Sequence, residues 1–287
     1  MPPSSARIIN GLSVDVEDYF QVQALASVYP RSGWDGYESR VERNTQLILD
    51  LFSESAVKAT FFTLGWIAER HPDLVRRIAG AGHEVASHGF SHVRVDSQRP
   101  AEFREDIRKS RRILEDLTGA RVRGYRAATF SVGPRTPWAW RLLEEEGYAY
   151  SSSVYPVARD FYGNPDAPRT AHTPGGATRL VEIPISTVRL GNRNWPCGGG
   201  GYFRLFPYGL SKAAIRHVNA VEGAPAVFYI HPWELDPQQP RPTGASLKSR
   251  FRHYTNLSKT GDRLRRLAQD FSWDRIDRAF RLAGGLH

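Results

Sequence analysis

The sequence predicts an α/β fold, and three observations carry this prediction. Short apolar segments alternate with amphipathic ones along most of the 287 residues. The apolar segments are rich in β-branched and aromatic residues, which is typical of buried strands. Polar residues follow directly after several of these segments. Repeated strand–helix units build either a barrel or a doubly wound sheet, and both folds place functional residues at the carboxyl ends of their strands.

Each element is predicted from its own pattern. Residues 57–64, with the sequence VKATFFTL, have the composition of a buried strand. Residues 100–117 repeat apolar side chains at helical spacing, for example at Phe103, Ile107 and Leu114. The predicted strands cover residues 8–16, 57–64, 83–87, 122–127, 148–154, 180–186 and 226–230. The predicted helices cover residues 38–53, 72–79, 100–117, 137–146, 208–222 and 260–270. The loop predicted for residues 155–178 is unusually long, and loops of that length are often functional.

The composition is that of a globular protein, with 40% hydrophobic and 24% charged residues. No apolar run reaches the roughly 18 residues of a membrane helix. Residues 1–10 lack the apolar core of a secretory signal. The single cysteine, Cys197, excludes an intrachain disulfide. Together these features predict a cytoplasmic protein.

Two histidines follow the strand predicted for residues 83–87. His88 and His92 are four residues apart, and this spacing brings both rings to one side of a helical turn or tight loop. Two neutral imidazoles that face one point are half of a zinc or iron site. The alternative is that both are ordinary polar residues of a loop. A third ligand, a base and an acid at other strand ends favour the metal site.

Three carboxylates follow the first predicted strand, at Asp15, Glu17 and Asp18. They repel one another unless a cation or an arginine compensates. Asp18 by itself could equally be a helix N-cap. Arg126 and His231 follow later strands. A lone histidine such as His231 is more often a satisfied core residue than a functional one.

Five motifs in a fixed order connect these residues to a known family. They are D-x-E-D from residue 15, S-H-x-x-x-H from residue 87, R-A-A-T-F-S from residue 126, Y-S-S-S-V-Y-P from residue 150 and F-Y-I-H-P-W-E from residue 228. In this order they resemble the polysaccharide deacetylases with a NodB homology domain, carbohydrate esterase family 4. Residues 202–208 and 231–240 are similar to the subgroup found in exopolysaccharide loci linked to exosortase (PEP-CTERM) protein sorting.

The resemblance implies a distorted (β/α) barrel of about seven strands with one divalent metal ion, for which zinc is favoured. We expect the barrel to span residues 1–240 and a basic extension, residues 241–287, to pack on it. The resemblance implies the following roles by position: His88 and His92 as metal ligands, Asp15 as general base, Arg126 as the residue that orients Asp15, the Thr129 N–H as oxyanion donor and His231 as general acid.

Two positions depart from the family pattern or lack a clear match. Val16 stands where the family has its carboxylate ligand, so Glu17 or Asp18 takes that role, and strand alternation favours Glu17. No clear match exists for the aspartate that polarises the acid histidine, and Asp160 and Asp166 are the candidates.

Aromatic residues are expected to form the substrate groove. We predict that Tyr150, Tyr155 and Trp233 contact the sugar. Burial in a strand and turn is an equal alternative for the two tyrosines, and Trp233 could be a core residue.

The predicted function is metal-dependent removal of N-acetyl groups from an N-acetylated polysaccharide, or from its lipid-linked precursor, in exopolysaccharide biosynthesis. One alternative is a ring amidohydrolase of the allantoinase kind, which shares the fold and can lack metal. The presence of His88 and His92 is evidence against it. The other alternative is a non-catalytic glycan-binding protein, which would need neither Asp15 nor His231.

The net charge of +9 is concentrated near the C-terminus, because residues 241–287 contain 11 Lys and Arg residues and only 4 Asp and Glu residues. We expect an anionic partner for this segment. A cytoplasmic enzyme acting on a surface glycan would meet a lipid-diphosphate carrier or the inner face of the membrane, where a peripheral location is expected. No nucleic-acid-binding motif accompanies the charge. The alternative is a solvated helix face with salt bridges to the barrel.

Overall fold

The structure, a computed structural model, describes residues 8–158 and 162–282. The described strands are β1 (Ile9–Val16), β2 (Thr60–Thr63), β3 (Glu84–Ser87), β4 (Gly124–Tyr125), β5 (Tyr150–Ser151), β6 (Val181–Glu182), β7 (Thr187–Leu190), β8 (Arg193–Pro196), β9 (Val227–Ile230) and β10 (Ser272–Asp274). The described helices are α1 (Val41–Glu54), α2 (Gly65–Arg70), α3 (Pro72–Gly80), α4 (Pro100–Thr118), α5 (Trp138–Glu145), α6 (Gly200–Leu205), α7 (Tyr208–Ala220), α8 (Leu247–Tyr254), α9 (Thr260–Asp270) and α10 (Ile276–Ala279). None of these helices has both the length and the apolar character that a bilayer crossing requires.

Parallel pairing joins most strands into one curled sheet. Its order is β6–β5–β4–β3–β2–β1, and β9 and β10 also pair with β1. The segment after β6 reaches the opposite edge, where Ser186 and Val227 of β9 exchange hydrogen bonds. This curled parallel sheet with its packed helices confirms the predicted α/β fold, and all seven predicted strands contribute to it.

β1 holds the centre of the sheet because it pairs with three strands. Its first residues pair with β10, its middle with β9 and its last four residues with β2. Seven of its eight residues are buried, which explains the continuous apolar run in the sequence. The strand therefore gives the residues that follow it a fixed position at the carboxyl end of the sheet.

The region between β6 and β9 was not predicted in detail. β7 and β8 form an antiparallel hairpin, and α6 begins inside the glycine run of residues 198–201. These glycines allow close packing. A Cβ atom at Gly200 would lie 2.1 Å from Oε1 of Glu234, and one at Gly199 would lie 2.7 Å from the ring of Tyr229. Larger residues here would push β9 and the turn after it away from α6.

Part of the segment after residue 240 pairs with the sheet. α9 has the bounds predicted for it and buries Leu264 and Leu267. β10 then pairs with the start of β1, and the indole of Trp273 donates a hydrogen bond to the Leu267 carbonyl at 2.8 Å. The domain boundary at residue 240 stays a prediction, but this segment contributes a strand to the sheet itself.

Candidate active site and metal centre

Two carboxylates follow one another at the carboxyl end of β1. Asp15 and Glu17 are each 2% exposed, and both line a cavity of about 370 Å³. Residues two apart on an extended chain face the same side, so the strand geometry directs both side chains into this cavity.

Asp18, the alternative metal ligand, caps backbone groups instead. Its Oδ2 atom accepts hydrogen bonds from the Ser39 hydroxyl and from the N–H groups of Arg40 and Val41, at 2.8, 2.8 and 3.1 Å. Its Oδ1 atom accepts one from the N–H of Tyr19 at 2.9 Å. Asp18 therefore anchors the start of α1 and the turn after β1, and the structure does not bring it to the histidines.

Glu17 meets the two histidines that follow β3. One ligand atom from each of Glu17, His88 and His92 lies within 4.8 Å of the other two, and all three side chains are buried. Among the described residues, this is the group that could hold a metal ion. His92 adopts a left-handed backbone conformation, with φ of 54°, which is uncommon for a residue other than glycine. Strain of this kind often accompanies functional sites.

The tautomer of His88 follows from its partner. Its Nδ1 atom lies 2.8 Å from the backbone oxygen of Arg126, and because a carbonyl can only accept, Nδ1 carries the hydrogen. The lone pair is then on Nε2. Burial lowers the pKa of His88 to about 4, so the ring is neutral near pH 7. Both properties are those of an imidazole that binds a metal.

The contact between Glu17 and His92 also suits a metal site. Oε2 of Glu17 lies 2.9 Å from Nε2 of His92, yet this buried oxygen has no hydrogen-bond partner. A buried carboxylate oxygen without a hydrogen bond, next to an imidazole nitrogen, offers two donor atoms of the kind that bind zinc. Burial alone would raise the pKa of Glu17, but His92 lowers it to about 2, so the carboxylate is ionised.

Asp15 is held by a buried arginine. Nη1 of Arg126 lies 2.6 Å from Oδ1 of Asp15 and 2.8 Å from the Ser13 hydroxyl. The other donors of this guanidinium bond the carbonyl and hydroxyl of Ser152 at 3.0 and 2.9 Å. Arg126 is 0% exposed. Its charge is therefore compensated by Asp15, and this contact fixes the orientation of that carboxylate.

The serines of residues 151–153 support the Arg126 loop, a function that the sequence did not reveal. Ser152 binds the Arg126 guanidinium, and the hydroxyl of Ser153 accepts a hydrogen bond from the N–H of Ala127 at 2.9 Å. Thr129, two residues further on, lines the cavity with a left-handed backbone at φ 54° and ψ 30°. The serines thus position the loop that presents the Thr129 backbone.

His231 completes the ring of polar groups. Its Nε2 atom lies 3.4 Å from Glu17 Oε1 and 3.9 Å from Asp15 Oδ2. Its Nδ1 atom lies 2.7 Å from Oε1 of Glu234. Burial alone would lower the pKa of His231, but the hydrogen bond to Glu234 and the nearby carboxylates raise it to about 9. His231 therefore carries a proton at neutral pH and directs it towards Asp15 and Glu17.

Glu234, rather than the candidate Asp166, is the carboxylate partner of His231. Asp160 lies outside the described residues, and Asp166 is an exposed residue of the long loop. The sequence could have identified Glu234 as this partner, because a glutamate three residues after the first residue of a turn can hydrogen-bond back to that first residue. Glu234 Oε1 also accepts a hydrogen bond from the His231 N–H at 3.2 Å.

The cavity wall differs from the predicted groove. Trp233 lines it and donates a hydrogen bond from its indole to Glu17 Oε1 at 3.3 Å. The structure corrects the prediction for Tyr150 and Tyr155, since both are buried and neither is among the described lining residues. The Tyr150 hydroxyl donates to Glu84 at 2.9 Å, inside the sheet.

The sequence missed the outer part of the wall. It includes Tyr202 and Leu205 of α6 and Lys248, Phe251 and Arg252 of α8. The C-terminal segment therefore contributes to the cavity.

Comparison with known families shows what each part of the chain is similar to. Residues 34–150 match the family described as polysaccharide deacetylase. Over these residues the chain is similar to polysaccharide deacetylases. This matched segment contains His88, His92, Arg126 and Thr129. Residues 152–281 match a family described only as a domain of unknown function, DUF3473, and this part provides His231. The site is therefore assembled from both matched parts and from β1, which precedes them.

Curated relatives that match parts of this chain are named as deacetylases. A chitooligosaccharide deacetylase from Bradyrhizobium sp. (strain ANU 289) is 34% identical over 144 residues, 50% of this chain and 59% of the relative. A peptidoglycan-N-acetylglucosamine deacetylase from Bacillus cereus is 43% identical over 75 residues, 26% of this chain and 27% of the relative. The matched regions thus span less than two thirds of these relatives.

Solved structures share the fold. A protein from Mycobacterium smegmatis assigned as a polysaccharide deacetylase aligns with a TM-score of 0.62 at 18% identity, over 98% of this chain and 91% of its own. Puue allantoinase aligns with a TM-score of 0.60 at 20% identity, over 99% of this chain and 93% of its own. The fold is therefore common to deacetylases and to an allantoinase, and only the site can separate the two activities.

Proposed function

We propose that the protein is a metal-dependent deacetylase that hydrolyses N-acetyl groups of a glycan. One observation carries this proposal: the ligand group of Glu17, His88 and His92 adjoins both the Asp15–Arg126 ion pair and the protonated His231. The curated relatives are named as deacetylases of chitooligosaccharide and of peptidoglycan N-acetylglucosamine, which supports the same chemistry here.

The donor set suits zinc. Two imidazole nitrogens and one carboxylate oxygen are the ligands of many catalytic zinc sites, which keep a further position open. The unpartnered Oε2 of Glu17 and the available lone pair of His88 fit such an ion. A bound divalent ion supplies Lewis acidity, which eases ionisation of a water molecule and polarises an acyl oxygen.

The residues of the chain supply the proton transfers. Asp15, oriented by Arg126, accepts a proton from the attacking water. The N–H of Thr129 donates to the oxygen that becomes negative as the acetyl carbon turns tetrahedral. His231 gives its proton to the nitrogen as the C–N bond breaks. The products are acetate and a free amino sugar, and the cycle closes when the proton taken up by Asp15 returns to His231.

The substrate in this proposal is an N-acetylated polysaccharide or its lipid-linked precursor in exopolysaccharide biosynthesis. The subgroup resemblance of residues 202–208 and 231–240 supports the exopolysaccharide role. Structurally, these residues build the surroundings of Glu234 and the wall near Tyr202. Trp233 and Tyr202 are the aromatic groups placed to contact a sugar ring.

The cavity entrance also suits a membrane surface. Leu247 and Phe251, four residues apart on α8, are 83% and 59% exposed, and Phe251 lines the cavity. Lys248, Arg250 and Arg252 lie on the same exposed helix. Exposed apolar and basic side chains on one helix are typical of binding to anionic lipid. We include peripheral association with such a surface, or with a lipid-diphosphate carrier, in the proposed function.

The proposal is tested by assaying purified protein for metal and for acetate release from an N-acetylated chitooligosaccharide. We expect about one equivalent of a divalent ion and stoichiometric release of acetate and free amine. Hydrolysis of allantoin without acetate release would favour the ring amidohydrolase. Oligosaccharide binding without metal or turnover would favour a glycan-binding protein.

A further inference from the structure

Arg204 of α6 is a buried arginine next to the site, and the mechanism above does not use it. It is 2% exposed, and its Nε atom donates a hydrogen bond to Oε2 of Glu234 at 2.5 Å. Its Nη1 atom donates to the carbonyls of His253 and Thr255 at 3.0 and 2.7 Å, and its Nη2 atom donates to that of Arg252 at 3.0 Å. One guanidinium thus joins the C-terminal segment to a carboxylate beside His231.

Glu234 lies between two positive groups and is 0% exposed. Its Oε2 atom faces Arg204, and its Oε1 atom faces Nδ1 of His231 at 2.7 Å. Burying such a carboxylate is costly unless cations and hydrogen bonds compensate for the lost solvation. Gly200 contributes to the arrangement, because any side chain there would occupy the space of this carboxylate.

The far side of Trp233 is covered by the same C-terminal segment. The ring of His253 stacks on Trp233 with centroids 4.2 Å apart, and the ring of His231 stacks on Trp233 at 5.1 Å. Nε2 of His253 is in turn 2.6 Å from the side-chain oxygen of Gln239. Residues 252–255 therefore fix both Arg204, through their carbonyls, and the indole beside His231.

We infer that Arg204 is a positioning residue for proton donation by His231 and that residues 252–255 hold it in place. This inference rests on the proposed deacetylase function. Arg204 fixes Glu234, and Glu234 fixes the ring of His231 so that its Nε2–H faces the cavity. Residues 152–281, which match the family of unknown function, would then form part of the active site, because they supply His231, Glu234, Arg204 and the carbonyls.

The reaction offers a way to separate positioning from stability. When an amide is cleaved, the electron pair of the C–N bond moves to nitrogen, which takes the proton from His231. When para-nitrophenyl acetate is cleaved, the phenolate leaves with its electron pair and needs no proton. A misplaced proton donor therefore slows amide hydrolysis and spares ester hydrolysis, whereas partial unfolding or metal loss slows both.

The experiment compares both substrates in Arg204→Lys and Glu234→Gln, using zinc-loaded protein of measured metal content. We expect kcat for an N-acetylated chitooligosaccharide to fall by about 100-fold, the lower range for general acid catalysis. KM, metal content and the metal-dependent hydrolysis of para-nitrophenyl acetate should stay within about twofold. Glu234→Gln keeps the shape of the side chain, so it provides the same test if Arg204→Lys folds poorly.

Arg263→Lys is the matched control. Arg263 also donates from one guanidinium nitrogen to three carbonyls, those of Phe203, Arg204 and Phe206, but it binds no carboxylate of the site. It should leave the amide-to-ester ratio unchanged. An equal loss of both activities in Arg204→Lys and Glu234→Gln, or no loss of amide hydrolysis, would overturn the inference. Failure of the proposed function would look different, since the unsubstituted protein would then release no acetate from the oligosaccharide.

Discussion

Arg126 and Asp15 form an ion pair of 2.6 Å in which the arginine is fully buried and the carboxylate nearly so. Asp15→Asn keeps the shape of the carboxylate and removes its charge. We expect the variant to retain metal and to lose at least about 100-fold in deacetylation rate, because the water has no base. Metal analysis and an acetate-release assay check both expectations.

The same substitution should also lower stability. It leaves the Arg126 guanidinium buried without its counter-ion, a change that costs about 3–5 kcal/mol in other proteins. Urea unfolding of the metal-free protein would show this. Near-normal turnover in Asp15→Asn would move the role of base to another carboxylate.

The three metal ligands can be tested with Asp18 as the control, because the sequence left Glu17 and Asp18 as alternative carboxylate ligands. Glu17→Gln, His88→Ala and His92→Ala should each abolish metal retention, since each removes one of three ligand atoms. Asp18→Asn is the matched control and should keep full metal content while losing about 1 kcal/mol of stability as a weakened cap. Metal content by mass spectrometry decides; full retention in His88→Ala would sink this assignment.

Glu84 gives the protein a dependence of stability on pH that does not involve the metal centre. Burial, followed by repulsion from Asp277, raises the pKa of Glu84 from 4.5 to about 7. The folded state therefore holds its proton more tightly than the unfolded state. The stabilisation that protonated Glu84 contributes is fully present at low pH. It declines between about pH 4.5 and 7, because Glu84 loses its proton at a lower pH in the unfolded chain than in the folded protein.

Glu84→Gln should flatten this decline, because the amide cannot ionise. A pKa difference of one corresponds to about 1.4 kcal/mol, so the effect is measurable by urea unfolding at pH 5 and pH 8. Tyr150→Phe, which removes the hydroxyl bound to Glu84, should cost about 1 kcal/mol without changing KM. An increase in KM would instead indicate that Tyr150 contacts the substrate, as the sequence predicted.

Membrane association is expected to depend on α8. A Leu247→Ser, Arg250→Gln, Phe251→Ser variant should bind anionic phosphatidylglycerol vesicles more weakly at low salt, because it removes apolar and charged contacts together. Vesicle sedimentation at low and high salt measures this. Unchanged sedimentation of the variant would leave α8 as part of the cavity wall only.

The arginines of α9 provide a comparison. Arg265 and Arg266 are exposed, and Arg265 also pairs with Glu54 and Asp262, so changing both to Gln should lower binding less than the α8 variant does. Arg263 is excluded because its guanidinium is bonded to three carbonyls near the end of α6. The basic segment is thus partly structural.

The sequence showed the strands and helices well where a single physical pattern dominated. All seven predicted strands exist, although the hydrogen-bonded part is often shorter, as in β4 and β5. The hairpin of β7 and β8, the short helices α6 and α8, and β10 were missed. They lack a long apolar period, and their positions depend on contacts with distant residues, such as the pairing of β10 with β1.

By itself, the sequence determined the fold class and the chemistry-bearing residues, because alternating patterns and polar residues at strand ends are local properties. Tertiary structure decided which of these residues meet. It separated Glu17 from Asp18, gave His231 its partner Glu234 in place of Asp166, and buried Tyr150 and Tyr155 away from the cavity. The physical reason is that a ligand group or ion pair depends on distances of 2–4 Å between residues far apart in the chain, and no local pattern encodes those distances.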